Sequence, residues 1–411
     1  MKKVSIIGGG IIGLCSAYYL AKEGHEVVIF DKSDMTDGCS YGNAGMIVPS
    51  HIIPLAQPGM IAQGIKWMFD SQSPFYVKPR LSADLMNWGL KFYKHANKQH
   101  VEKAMPALCN LSLLSKELYQ DFVKENNSFF YENKGLLMLY KTDKTAEEII
   151  HEGKVAECFG LKVDFLSKED VAKLETGTST NVTGGVHYKS DSHIYPQKFM
   201  QFIKEELTKL NVTIHNKTLV EDFVMKNNIV TEIITDMGPF TTDEVVLASG
   251  SWSPNIAKKL NRAISILPGK GYSFTLNDRN QKPSIPSILC EGKVAVTPMN
   301  NDIRFGGTME ITHTNDTKIN KNRVQGIVNS INDFYPDLKI EMPKEEETWF
   351  GFRPCTPSGM PIITRDKKIK NLTLATGHSM MGLSLAPATG KIVSEIISGK
   401  TTTVNTQMFQ L

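Results

Sequence analysis

The sequence predicts an α/β protein in which a doubly wound, mostly parallel sheet is interrupted by an inserted α+β unit of mostly antiparallel strands carrying helices. Three observations predict it. Residues 1–31 read as strand, glycine turn, helix and second strand: apolar runs at 4–7 and 27–30 flank a helical pattern that ends at Glu23. Strand, glycine turn and helix return at 244–248 followed by Ser249-Gly250-Ser251-Trp252, and again at 372–375 followed by GHSMMGLSLAPATGK. Between these returns lie helices and hairpin signals of another character. The first unit is therefore expected at 1–55, 185–262 and 345–411, and the inserted unit at 56–184 and 263–344.

Taken in order, the glycines of the first unit each have a physical task. Gly8, Gly10 and Gly13 stand in GxGxxG spacing after the first strand. Gly8 permits the tight turn, Gly10 lets the backbone approach a pyrophosphate, and Gly13 lets the helix pack on the sheet. A pyrophosphate then meets unpaired N–H groups at a helix N-terminus. Asp31 closes the second strand eighteen residues after Gly13, placed to accept from both ribose hydroxyls of an adenosine. That acid disfavours a 2′-phosphate, and so NADP; the fingerprint alone does not separate FAD from NAD. Residues 39–54, CSYGNAGMIVPSHIIP, form a glycine-rich loop suited either to close approach of a flat ring or to an ordinary surface turn.

Residues 61–69, 83–93 and 108–123 show helical spacing, and their aromatics and methionines suit a core. Trp67, Met68 and Phe69 beside Phe75 and Tyr76 suit, alternatively, an exposed apolar surface for a membrane or partner. A strand at 135–140, a helix at 147–159 and a capping box from Ser167 to Asp170 follow, then a strand at 184–188. Pro196 opens a helix through Leu210, a strand follows at 212–215, and strands at 220–224 and 229–235 straddle the hairpin signal Asn227-Asn228. Strands are expected at 270–276, 293–297 and 303–307, helices at 323–334 and 383–397.

Composition narrows the function. At 411 residues two domains are the default, and 41% hydrophobic with 22% charged residues is ordinary for a globular protein. A net charge of +3 gives no electrostatic case for nucleic acid. Six scattered cysteines without CxxC spacing fit a reducing compartment and give neither a disulfide framework nor a zinc site. Lys2 and Lys3 before an apolar run mimic a secretory signal, but the Gly8-Gly9-Gly10 interruption reads as a retained strand. No run reaches the roughly 18 apolar residues of a membrane span, so a cytoplasmic protein is expected, soluble or peripheral on the inner face of the plasma membrane.

Near the end, WFGFRPCTPSGMPII holds Arg353 in a stiff apolar stretch. A guanidinium there needs an anion, and its geometry matches a carboxylate, either of a substrate or of an internal Asp or Glu. Gly377, Gly382 and Gly390 flank a helix starting at Leu383, whose N-terminus would stabilise negative charge on a reduced flavin or serve only as a packing turn.

Together GGGIIG with Asp31, SYGNAG, LASGSW, GFRPCTPSGMPII and GHSMMGLS resemble the FAD-dependent D-amino-acid oxidase superfamily, nearest its bacterial D-amino-acid dehydrogenase branch. The resemblance spans nearly the whole chain and is weakest at 141–181. It implies a Rossmann-like FAD-binding domain with the insert as substrate domain. It also implies noncovalent FAD held by Gly8, Gly10, Ile11, Ile12, Gly13, Asp31, Lys32, Asn43, Ala44, Gly45, Val220, Gly250, Trp252, Gly377, His378, Gly382 and Leu383. The implied reaction is oxidation of an amino acid at the α-carbon, with Arg353 on the substrate carboxylate. Asp31 stands where many relatives have Glu, and Cys355 raises covalent flavin attachment, against which its context speaks.

The expected mechanism is hydride transfer to flavin N5, which needs orientation and a dry site more than a general base. Tyr272 is a candidate for the carboxylate or for sheet packing, and His51 for cofactor or substrate; His193 and Tyr195 are weaker candidates. Alternative substrates on the same fold are D-proline, cis-4-hydroxy-D-proline, sarcosine or glycine. A reading of another class is a dinucleotide-binding protein without turnover. Expected partners are an amino acid and an electron acceptor, oxygen or a quinone, the latter bringing peripheral membrane contact.

Overall fold

Lys3–Ile7 lies inside a six-stranded sheet ordered Ile362–Arg365, Leu372–Thr376, Glu244–Leu247, Lys3–Ile7, Glu26–Phe30, Thr213–His215. The computed structural model describes residues 1–411 except 69–71, 79 and 81. The sheet is parallel apart from Ile362–Arg365, which runs antiparallel to Leu372–Thr376. Its central strands are rich in buried apolar residues because both faces are covered. Val4, Ile6, Val27, Ile29 and Val246 face one core, under the helices Ile11–Lys22 and Gly382–Ser398. Ile7, Val28, Phe30, Val245 and Leu247 face another, under Ser253–Lys259 and the hairpin strands Val220–Lys226 and Ile229–Thr235. That hairpin turns at Asn227 and Asn228, both left-handed (φ 53° and 62°).

The second sheet has nine strands: Trp349–Cys355, Leu267–Leu276, Asp302–Ile311, Val294–Met299, Ser287–Leu289, Leu136–Tyr140, Gly184–Tyr188 and Val163–Ser167 in order, with Phe75–Val77 beside Asp302–Ile311. Two strands placed with the first unit by the sequence reading belong here. Gly184–Tyr188 pairs with Leu136–Tyr140, and Trp349–Cys355 pairs with Leu267–Leu276. Their local patterns read as strands but carry no information on partners. Trp349–Cys355 thereby brings Arg353 onto the second sheet.

Period-two alternation makes this sheet two-faced. On Leu267–Leu276, Tyr272 and Phe274 join Phe305, Val294 and Val296 in a core under the helix Lys321–Phe334. Of the opposite residues, Gly271 and Ser273 line the space toward the first sheet, while Gly269 packs under Cys355 and Met309. Small side chains on that face leave a gap between the two sheets, and the gap is the cavity described below.

The capping box forms as expected, Ser167 Oγ accepting from Asp170 N–H at the start of Lys168–Leu174. The helix read at 108–123 extends over Lys98–Glu125, because its first turns are polar and show little periodicity. The helix read at 61–69 is described over Met60–Trp67, and Phe69 lies outside the described residues. No described helix is long and apolar enough to cross a membrane.

Candidate functional site

A cavity of about 920 Å³ runs from the carboxyl ends of the parallel strands to the glycine face of the second sheet, the place where open α/β sheets bind ligands. At its nucleotide end the glycines divide into two kinds. A Cβ on Gly8 (φ +112°) would stand 2.6 Å from the Ala248 carbonyl oxygen, and one on Gly13 1.9 Å from that of Gly8. Those two serve packing, and Gly13 does not line the cavity. A Cβ on Gly10 would meet only Ser40 Oγ, at 3.7 Å, so what the bare backbone keeps open there is space for a ligand. The helix Ile11–Lys22 begins at that point without a side-chain cap on Gly10, and Ile11 N–H donates to Ser40 Oγ at 3.0 Å.

Asp31 borders the cavity, its Oδ2 accepting from Gly9 N–H at 2.7 Å and its Oδ1 from the N–H and hydroxyl of Ser33 at 2.8 and 2.6 Å. The turn thus aims the carboxylate, which keeps acceptor capacity for ribose hydroxyls. Lys32 Nζ stands 4.4 Å above the Trp252 ring, and both line the wall together with Ile11, Ile12, Val220 and Gly250. An uncapped helix start, a bare backbone and an aimed acid fit an adenine dinucleotide.

The SYGNAG loop is clamped to the second sheet by groups that the sequence reading did not single out. Arg304, 3% exposed, donates to the carbonyls of Tyr41 and Asn43 at 2.8 and 2.9 Å, and burial pushes its pKa down to about 10. Ser273 Oγ donates to the Gly42 carbonyl at 2.9 Å. Asn43 and Ala44 line the cavity, whereas Gly45 (φ +78°) forms the turn behind it, where a Cβ would stand 2.3 Å from the Ile194 carbonyl oxygen. At the far end of the chain Gly382 and Leu383 line the cavity, and Gly377 does not. His378 is 3% exposed, its Nε2 2.9 Å from Thr389 Oγ1, and burial pushes it down to about 3. Its Nε2 is committed to the helix Gly382–Ser398, while the residue itself lines the cavity.

Arg353 lies on the cavity wall and pairs with no acid among the described residues; its Nη1 donates to the Thr308 carbonyl. Burial lowers its pKa, though the group stays cationic at any physiological pH. The guanidinium lies so close over Gly271 that a Cβ there would stand 2.1 Å from Nη1. A desolvated cation without a counter-ion among the described residues, facing an open volume, is a site for an anion.

Tyr272 does not take the role considered for it. Its hydroxyl donates to Glu310 Oε2 at 2.6 Å and accepts from Asn320 N–H at 3.2 Å, on the opposite face of the sheet. Tyr272 borders the cavity, but strand alternation sends its ring and hydroxyl to the face opposite that of Gly271, toward Glu310. Glu310 also meets Lys270 and Arg323, so Tyr272 belongs to a buried charge network. His51 does line the cavity, with Nδ1 3.1 Å from Ser50 Oγ. His193 and Tyr195 do not line it. Cys355 is 1% exposed, off the cavity wall and bonded toward Ser379 and its own strand, so it is not placed to attach a flavin. Acid precipitation is accordingly expected to leave the yellow chromophore in the supernatant, and a yellow pellet would contradict this.

Trp67 and Phe75, read from sequence as surface candidates, line the cavity, with ring centroids 6.3 Å apart. The outward apolar side chains of this region are Ile65, Met86, Leu90 and Tyr93, each more than half exposed. Met138, Tyr188, Ile288 and Ala295 form an apolar floor on the second sheet.

A family model described as FAD-dependent oxidoreductase (DAO) matches residues 3–396. A D-amino acid dehydrogenase of Helicobacter pylori is 31% identical over 396 residues, 96% of this chain and 94% of that one. Among solved structures, glycine oxidase from Geobacillus kaustophilus superposes with a TM-score of 0.78 at 22% identity, covering 100% of this chain and 99% of that one. L-proline dehydrogenase from P. horikoshii gives a TM-score of 0.78 at 20% identity, covering 100% and 96%.

Proposed function

The chain belongs to the DAO family of FAD-dependent oxidoreductases, and from that premise we propose that it oxidises a small D-amino acid at the α-carbon, yielding an imino acid that hydrolyses to a keto acid and ammonia. FAD is its cofactor, and when bound supplies the hydride acceptor. The observation that carries the reading is Arg353 on the cavity wall, without an acidic partner among the described residues. A planar fork of N–H donors in a desolvated site favours a carboxylate, and two-point contact fixes the direction in which the α-carbon points. The floor of Met138, Tyr188, Ile288 and Ala295 would receive an apolar side chain and keep water out. The curated relatives' name supports the D configuration.

Gly8, Gly10, Ile11, Ile12 and Asp31 would hold the adenosine diphosphate end. Asn43, Ala44, Gly382 and Leu383 would flank the ring, with the helix start at Gly382 favouring negative charge there. A quinone is the proposed acceptor, supported by the outward apolar residues Ile65, Met86, Leu90 and Tyr93.

Anaerobic mixing of the yellow protein with D-alanine, L-alanine, D-proline, cis-4-hydroxy-D-proline and sarcosine tests the reading. Bleaching by D-alanine, faster than by L-alanine, is the expected result. Bleaching by none of the five removes the proposed activity, and faster bleaching by the L form removes the handedness. Readmitting oxygen separates the acceptors: stoichiometric peroxide with no response to a quinone analogue would make the protein an oxidase.

A further inference from the structure

Ser50 and Asp191 lie behind His51 and make a connected set that the reaction above does not use. Asp191 is 0% exposed, and its Oδ1 and Oδ2 accept from the N–H and the hydroxyl of Ser50 at 3.0 and 2.5 Å. A hydroxyl has one proton, and this one is given to Asp191. Toward His51 Nδ1, 3.1 Å away, Ser50 Oγ is then an acceptor, and His51 carries its proton on Nδ1. Nε2 is left as a lone pair. It has no protein partner among the described residues and is absent from the sealed, unsatisfied polar atoms, so it opens into the cavity that His51 lines.

We propose that Ser50 and Asp191 fix the tautomer of His51 so that its Nε2 accepts a hydrogen bond from the substrate's nitrogen, making His51 the second anchor of the amino acid beside Arg353. This rests on the proposed oxidation of an amino acid. It adds that the neutral amine must bring an N–H, as primary and secondary amines do and N,N-dialkyl amines, once deprotonated, do not. Ser50 and Asp191 are positioning residues, and only His51 touches substrate.

Charges around the set agree with these roles. Burial, reinforced by Lys293, pushes His51 down to about 4, so the ring is neutral near pH 7, and in the Nδ1–H tautomer Nε2 accepts. Asp191 is pushed up to about 7 by burial, against the Ser50 bonds and the Lys116 ammonium on the helix Lys98–Glu125. Tyr188, in the adjoining strand, also feels the Asp191 charge. The sign follows. Above about pH 7 Asp191 is ionised and accepts the Ser50 proton, which locks the tautomer. Below it, a protonated Asp191 can donate to Ser50, which frees the Ser50 proton for Nδ1 and lets the His51 proton move to Nε2.

The test combines nitrogen NMR of histidine in the oxidised holoenzyme, His51 being assigned by its loss in His51→Gln, with steady-state kinetics on the amino acid that bleaches the flavin best. Wild type is expected in the Nδ1–H form at pH 8 and to lose it on titration to pH 6. Ser50→Ala and Asp191→Asn are expected to shift the ring toward Nε2–H and to raise KM about tenfold while kcat changes less than about threefold, the mark of a contact made equally in ground and transition states. Ser50→Thr keeps the hydroxyl and restores KM, which a merely structural role would not require. An Nε2–H tautomer in wild type at pH 8, or a KM unmoved by Ser50→Ala, overturns the relay. Should Asp191→Asn not fold, the wild-type titration and Ser50→Ala decide alone. If no amino acid reduces the flavin, the activity fails whatever the tautomer; if amino acids reduce it and the tautomer is wrong, the relay alone fails.

Discussion

Arg353→Met lowers kcat/KM for the amino acid by about 30- to 4,000-fold, since truncating one partner of a buried, hydrogen-bonded charge pair costs about 2–5 kcal/mol. Methionine fills much of the same volume without charge or donors, so the cavity stays dry and the flavin content should stay near one per chain. Arg353→Lys is expected to recover only part of the loss, because a point charge cannot reproduce the two parallel bonds. The Gly271 backbone offers an independent lever. A Cβ there would stand 2.1 Å from Nη1, so Gly271→Ala displaces the guanidinium without deleting it. Steady-state kinetics and the ratio of flavin to protein absorbance read both variants. A methionine variant within about threefold of wild type would remove Arg353 from the site.

Gly13→Val abolishes flavin retention and lowers the melting temperature by several degrees. The valine Cβ would sit 1.9 Å from the Gly8 carbonyl oxygen and 3.4 Å from Ile6 Cγ2, both parts of the first strand and its turn. The contact with Ile6 is ordinary, but the one with the Gly8 carbonyl is a clash against backbone in a turn packed on Ala248. Overpacking of this kind costs about 1–3 kcal/mol, and here the strain falls on the turn that would hold the pyrophosphate. Gly89→Ala is the control: it lies within the helix Ala83–His95 with nothing within 4 Å of its added Cβ, and should stabilise the helix by up to about 1 kcal/mol with full flavin. Absorbance at the flavin band and thermal melts measure both. A Gly13→Val protein that purifies fully yellow would contradict the packing argument.

What the sequence disclosed was local. The opening βαβ unit, the Ser167 to Asp170 capping box and the Asn227-Asn228 hairpin were legible because a few adjacent residues determine each. Arg353 was legible as a cation in a stiff apolar stretch, though not the strand partner that places it. Features set by pairing at long range were not legible. Trp349–Cys355 joins the second sheet through register with Leu267–Leu276, which its own residues do not encode. Tyr272 was ambiguous because alternation gives two faces and only the covering helix says which is inside. Arg304 drew no notice, since its partners are backbone carbonyls more than 250 residues upstream, and Ser50 gave no hint of Asp191.

The position of Lys3–Ile7 between Glu26–Phe30 and Glu244–Leu247, with Leu372–Thr376 one strand further, bears on how the chain is made. Lys3–Ile7 has one neighbour that follows it at once in synthesis and another that arrives some 240 residues later. The helix that covers Ile11–Lys22 comes from the last thirty residues of the chain. Until then the nascent polypeptide carries an open, apolar sheet edge, the kind of surface that pairs wrongly with other chains. Products truncated before Gly382–Ser398 are therefore expected to aggregate in place of folding as a smaller domain.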